Sequence, residues 1–127
     1  MTDPKPRWYQ TAVFMEVNVR AFMDSNNDGW GDLPGLTSKL DYIAGLGVDA
    51  IWLQPIMPSP LRDDVSDFFS IFPAYGTIED FQELIRQAHA RGLKILVEII
   101  PNHTSDQHPW FLASRDPAHP EHARYRD

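Results

Sequence analysis

The sequence predicts an α/β fold on a parallel sheet, and two observations carry that prediction. Short β-branched and aliphatic runs alternate with segments of helical periodicity, and the unit "helix, Gly, short apolar strand, Pro" occurs at 36–55 and again at 77–101. Such alternation argues for right-handed crossovers between parallel strands. The pattern alone fits either an open doubly wound sheet or a closed barrel. In both, the C-terminal ends of the strands carry the function.

Val13-Phe14-Met15-Glu16-Val17-Asn18-Val19 opens the order as a strand, with its odd positions mostly apolar. After a loop rich in Gly, Asp and Asn, Leu36, Leu40, Ile43 and Leu46 fall at helical spacing and Gly47 closes that helix. Val48-Asp49-Ala50-Ile51-Trp52-Leu53 reads as the second strand, stopped by Pro55. Thr77 is a good N-cap, and Asp80 completes an acidic variant of the capping box. Ile78, Phe81, Leu84, Ile85 and Ala88 then share one helical face, and Gly92 is the stop. Leu93 to Ile100 reads as a third strand buried on both faces. Past Asn102 the chain turns rich in Asp, His and Pro, with no closing element predicted.

Composition narrows the function classes. The 127 residues suffice for one modest domain, and the absence of cysteine excludes disulfides, thiolate metal sites and cysteine nucleophiles. A net charge of −7 without any basic block argues against nucleic acid, whose phosphates call for clustered cations. No apolar run approaches the roughly 20 residues of a membrane helix, and the first residues have no signal-peptide core. A cytoplasmic protein is the expectation.

Three segments at strand exits are candidate sites. Asp24-Ser25-Asn26-Asn27-Asp28-Gly29-Trp30-Gly31-Asp32 places oxygen side chains at positions 1, 3, 5 and 9 and Gly at position 6, like the front of an EF-hand loop. Gly35 stands where the bidentate Glu belongs. An Asx-rich surface turn is the plainer reading, but the match favours a structural Ca²⁺ over a catalytic metal. Glu98-Ile99-Ile100-Pro101-Asn102-His103 follows the third strand; its Asn and His are either ligand groups or turn residues. The sequon Asn102-His103-Thr104 is discounted, since nothing points to secretion. Pro58-Ser59-Pro60-Leu61-Arg62-Asp63-Asp64 is a stiffened loop presenting an Arg and two carboxylates. Phe68, Phe69, Phe72 and Tyr75 are a sugar-stacking platform or, more simply, core.

Taken with Trp8-Tyr9, Val19-Arg20-Ala21-Phe22, Ala50 to Pro55, Pro73 to Thr77 and Asn102 to Phe111, these segments resemble the α-amylase family of retaining glycoside hydrolases and transglycosylases. Its trehalose synthase and oligo-α-glucosidase branch is the most similar. The resemblance runs over nearly the whole chain in the family's order. It implies the N-terminal portion, about three βα units, of an incomplete (β/α)8 barrel. Residues 1–101 would carry barrel strands one to three, and 102–127 would begin a domain inserted after the third.

It further implies an enzyme acting on α-glucosidic bonds, by hydrolysis, transfer or isomerisation, with α-linked glucosides such as maltose or trehalose as partners. Ca²⁺ would be held by Asp24, Asn26, Asp28, the Trp30 carbonyl and Asp32. Asn102 matches a ligand of a second structural calcium, and His103 and Asp64 match contacts to the reactive sugar. The family continues the Arg-Asp-Asp run with Gly-Tyr-Asp, whereas here Val65 follows directly, so the Tyr expected to stack under that sugar is missing. The family's nucleophile and acid/base come from later strands, so no catalytic residue is assigned and the chain itself is expected to be inactive. A closed barrel takes roughly 250 residues. Three strands would leave a sheet face uncovered and favour self-association. The alternative is a non-catalytic Ca²⁺- or sugar-binding remnant.

Overall fold

The computed structural model describes residues 5–61 and 63–126. A 3-10 turn, Trp8–Gln10, leads into β1 (Phe14–Val17) and the single-turn helix α1 (Val19–Phe22). Then come α2 (Leu33–Ser38), α3 (Leu40–Gly45) and β2 (Ala50–Leu53). After a 3-10 turn at Pro73–Tyr75 follow α4 (Ile78–Ala90), β3 (Lys94–Val97), α5 (Pro109–Arg115) and α6 (His122–Tyr125).

The strands form one parallel sheet in the order β1-β2-β3, with Val17 beside Leu53 and Leu53 beside Val97. The ladder runs past the strand ends: Gln54 N–H donates to the Val17 carbonyl at 3.0 Å and Glu98 N–H to the Leu53 carbonyl at 2.9 Å. All three strands therefore discharge their following loops at one end of the sheet. Alternation sends Val17, Ile51 and Leu53 into a core with Leu33, Leu36, Leu40, Ile43, Leu84 and Ala88, against which Met15, Ile95 and Val97 also pack. The opposite face is largely uncovered: Trp52 is 42% exposed, Glu16 beside it is exposed, and Phe14 and Lys94 are exposed toward the N-terminal end, although Ala50 between them is buried. Trp8 folds under that end, against Phe14 and beneath the Lys94 ammonium.

Four expectations need correction. The first strand is shorter than residues 13–19, because the chain turns at Asn18 and Val19 opens α1. The third strand is shorter than residues 93–100 and is not buried on both faces, because no helix among the described residues other than the 3-10 turn carrying Trp8 lies on its second face; Lys94 is exposed and Leu96 half-buried. The helix expected through 36–46 starts earlier and breaks at Lys39. Ser38 Oγ takes the Gly35 carbonyl at 2.6 Å and Thr37 Oγ1 takes that of Leu33, so Lys39 N–H moves to the Leu36 carbonyl. The segment past Asn102 does form helix. His108 caps α5 by accepting from Trp110 N–H, and Pro109 fills the first position, where a missing N–H costs nothing.

Helix α4 forms where the sequence placed it. The Thr77–Asp80 box is complete, and its far end closes as a Schellman motif: Leu93 N–H reaches the Ala88 carbonyl and Gly92 N–H that of His89. Arg91 then spans to α3, bonding both Asp41 oxygens at 2.6 and 3.2 Å. No described helix is long and apolar enough to cross a membrane.

Two predictions follow from α4. Thr77→Ala removes the cap and lowers unfolding stability by about 1 kcal/mol, read by urea titration under circular dichroism. Hydrogen bonds from Arg86 and then Gln87 hold the Glu83 carboxyl at about 2, down from 4.5, and the Arg91 guanidinium holds Asp41 below the usual carboxylate range. A depressed carboxylate stabilises the fold above its unfolded value and loses that contribution as pH falls through its folded one. The urea midpoint therefore declines between pH 4.5 and about 2, and Glu83→Gln flattens part of that slope.

Candidate functional site

The loop after β1 is wound around its own oxygen side chains. Asp24 Oδ1 accepts from Asn26 and Asn27 N–H, and Asp24 Oδ2 accepts from Gly29 N–H at 2.8 Å. Asn26 Oδ1 accepts from Asp28 N–H, and Asp28 Oδ1 from Trp30 N–H. Each is an Asx turn, the local closure that short oxygen side chains favour. Asn27 sits at φ 64°, a left-handed conformation that Asn tolerates. These donors, the Gly29 N–H foremost, hold the Asp24 carboxyl below its ordinary range.

Asp32 has a different placement. It is buried, accepts from Gly35 N–H at 2.6 Å as the N-cap of α2, and accepts from Ser25 N–H and Oγ with its other oxygen. Gly31 and Gly35 let this loop lie on α1. A Cβ on Gly31 would come within 2.0 Å of the Val19 carbonyl oxygen, and one on Gly35 within 2.2 Å of that of Met23.

As a donor set, Asp24, Asn26 and Asp28 offer the hard oxygens that Ca²⁺ takes, with Asn26 contacting Asp28 directly. Among the described residues no three His, Cys, Asp or Glu side chains converge as a metal set. A cation here would thus rest on the Asn26 amide and the Trp30 carbonyl as well as on carboxylates.

Beside this loop, at the C-terminal end of β1 and β2, lies an open cleft of about 620 Å³. Asn18, Arg20 and Gln54 line its floor next to the strand ends, and Pro58 to Leu61 with Asp63 form one rim. Its aromatic side is a chain of rings. The Arg20 guanidinium lies 3.9 Å from the Trp30 ring centre, Trp30 meets Phe72 at 5.6 Å, and Phe72 meets Tyr75 at 5.1 Å. Of the four aromatics singled out by sequence, Phe72 and Tyr75 line the cleft and Phe68 packs between the core and His108. Phe69 stands 84% exposed.

The other predicted residues gather at the rim. An amide nitrogen can only donate, so Asn102 Nδ2 donates to His103 Nδ1, and the imidazole proton sits on Nε2, which donates to the Asp63 carbonyl at 2.9 Å. Asp64 points the other way: Oδ1 accepts from Ser59 Oγ and Leu61 N–H, and Oδ2 accepts from Ser105 Oγ at 3.2 Å. Ser105 N–H also donates to the Val65 carbonyl. The loops after β2 and β3 are thereby sewn together, with His103 and Asp64 on adjacent stitches. Arg62 lies outside the described residues. Asp63 lines the cleft although sequence reasoning chose its neighbour; no local signal separates two consecutive aspartates. Asn18, Arg20, Gln54 and Trp30 were likewise not foreseen as cleft lining.

Residues 16–127 match the family model described as alpha amylase, catalytic domain. An alpha-glucosidase of Culex pipiens is 52% identical over 119 residues, covering 90% of this chain and 20% of that protein. The trehalose synthase/amylase TreS of Mycolicibacterium smegmatis is 57% identical over 111 residues, covering 85% of this chain and 19% of that one. The trehalulose synthase MutB of Pseudomonas mesoacidophila, in a mutant form in complex with sucrose, matches at a TM-score of 0.90 and 45% identity over 98% of this chain and 22% of that one. The chain spans about a fifth of the length of these relatives. Its fold is the N-terminal portion of a (β/α)8 barrel.

Because the atoms facing Gly31 are backbone, Gly31→Ala has no flexible side chain to displace. It lowers stability by about 3 kcal/mol or more, seen as an earlier urea transition in Trp fluorescence. A transition unchanged from the unsubstituted chain would contradict the close approach of this loop to α1.

Proposed function

This chain belongs to the alpha-amylase family, and from that premise we propose that it is the N-terminal part of an enzyme acting on α-glucosidic bonds, in hydrolysis, transfer or isomerisation of maltose, trehalose or a related α-glucan. The observation that carries the proposal is the cleft. It joins an aromatic wall of Trp30, Phe72 and Tyr75 to the polar groups of Asn18, Gln54 and Asp63, the mixture of ring faces and hydrogen-bonding groups that a sugar ring takes. Its position at the strand C-termini, where barrel enzymes hold substrate, supports the same reading. Residues 1–101 would supply the first three barrel strands and 102–127 the start of a domain inserted after them. His103 and the Asp63–Asp64 turn form the sugar-handling rim.

On this reading the chain alone performs no turnover. A retaining mechanism needs two carboxyl groups about 5–5.5 Å apart, one attacking and one protonating. Among the described residues lining the cleft, Asp63 contributes the single carboxyl. The largely uncovered sheet face around Trp52 favours self-association of the isolated chain.

A second reading, a non-catalytic Ca²⁺- and sugar-binding module, draws on the 24–32 loop. In either reading Asp24, Asn26, Asp28 and the Trp30 carbonyl would hold the ion, with Asp32 bracing the loop at the head of α2. Asn102, its amide nitrogen turned to His103, would offer its carbonyl oxygen to a second calcium. Bound calcium would be structural, cross-linking the exit of β1.

Purified chain incubated with maltose or p-nitrophenyl α-glucoside should release no glucose. Turnover abolished by His103→Ala would overturn the claim that the reacting groups lie elsewhere. Calorimetric titration with Ca²⁺ should give a binding isotherm that Asp24→Ala removes, and a flat trace from folded protein would count against the loop reading.

A further inference from the structure

Ser105 is 1% exposed, far from the cleft loop in sequence, and bonded into that loop twice. Its hydroxyl donates to Asp64 Oδ2 and accepts from Gln107 N–H, while its own N–H donates to the Val65 carbonyl. Asp64 is half-buried, and both of its oxygens are turned onto the chain's own donors: Ser59 Oγ and Leu61 N–H on one side, Ser105 on the other. A carboxylate held this way is a poor direct ligand, because a sugar hydroxyl would have to compete with hydrogen bonds to a charged group. Its neighbour Asp63 lines the cleft, and the backbone carbonyl of Asp63 is what His103 Nε2 holds.

The geometry points to Asp64 and Ser105 as a positioning pair: the Asp64–Ser105 bond locks the loop after β2 onto the loop after β3, so that the Asp63 carbonyl meets the imidazole of His103 and the Asp63 side chain is presented to the cleft. This rests on the sugar-site reading for its purpose, though the lock itself does not. Consecutive residues separate the two tasks: Asp63 faces outward, and Asp64 is the anchor beneath it. Leu61 N–H, Asp64 and Ser59 close the turn locally, and Ser105 ties it to the sheet's other exit. Losing the Ser105 hydroxyl frees the Asp63 carbonyl to move, and His103 is then left with the Asn102 amide alone to hold its tautomer.

The test is nitrogen-15 NMR of the histidine rings, with His103 assigned through His103→Gln, alongside a maltose titration followed at the Trp30 indole. The unsubstituted chain should show His103 protonated at Nε2. Ser105→Ala and Asp64→Asn should each give a mixed tautomer and weaken maltose binding about tenfold, the worth of one charge-assisted hydrogen bond. The double variant should be no worse than either single, since both break one link. Asp64→Asn keeps the shape of the turn and serves if Ser105→Ala fails to fold. A His103 signal unchanged in a folded Asp64→Asn chain would overturn the pair. Tautomer mixing in the variants of a chain that never binds maltose would support the pair and remove the sugar reading.

Discussion

The ladder on either side of β2 is the interaction on which the rest of this structure depends. Parallel pairing of β1 and β3 to one central strand aligns Val17, Leu53 and Val97, and the bonds to Gln54 and Glu98 N–H extend the alignment one residue further. Three chain exits are thereby brought side by side, and each is a different device: the Asx-wound loop, the proline-stiffened rim and the His103 segment. A parallel sheet requires its connections to return along the helical layer, so the exits stay free of crossover segments. The cleft forms in that space. Breaking the β2 ladder would remove the cleft without touching a residue that lines it.

The exits are held by short side chains bonding to nearby backbone as well as by the packing of Ile56, Met57 and Val65 into the core. Asp24, Asn26 and Asp28 each close a turn of their own, Asp32 anchors that loop to α2, and Asp64 closes the next. Such bonds order a loop without burying it, which keeps polar groups and aromatic faces at the surface where a ligand can reach them. The cost falls on close backbone approach, hence the glycines at 31 and 35 against the carbonyls of Val19 and Met23.

What the sequence revealed follows a physical division. Features decided within one turn of chain were legible: the Thr77–Asp80 box, the Gly92 stop and the oxygen spacing from Asp24 to Asp32 all depend on near neighbours. The break at Lys39 was missed although its cause is also local, since hydrophobic spacing carries no sign of the hydroxyls of Thr37 and Ser38 competing for carbonyls. Helix α5 was hidden because His is an unusual cap; Pro109 was the available signal. The orientation of Asp63 against Asp64 was beyond reach, because one of the donors that hold Asp64, the Ser105 hydroxyl, lies far along the chain. The cleft-lining roles of Asn18 and Gln54 likewise come from strand register.

The two faces of the sheet explain why so much of a site can stand in about a fifth of the length of its relatives. One face is complete: β1, β2 and β3 bury Val17, Ile51 and Leu53 under α2, α3 and α4, and this alone fixes where the exits lie. The other face, with Trp52 between Glu16 and Leu96, touches the exit of β2 through Gln54, whose side-chain amide donates to Glu16 Oε1 at 2.7 Å. On the proposed reading, substrate orientation and bond chemistry would therefore draw on separable parts of the architecture. The aromatic wall, the Asp63 turn and the His103 segment depend only on the completed face, so they are organised before any second carboxylate is brought across the cleft. On the proposed reading, a sugar-binding rim would be in order where the reacting pair is not, because the two requirements would be met by different layers of the fold.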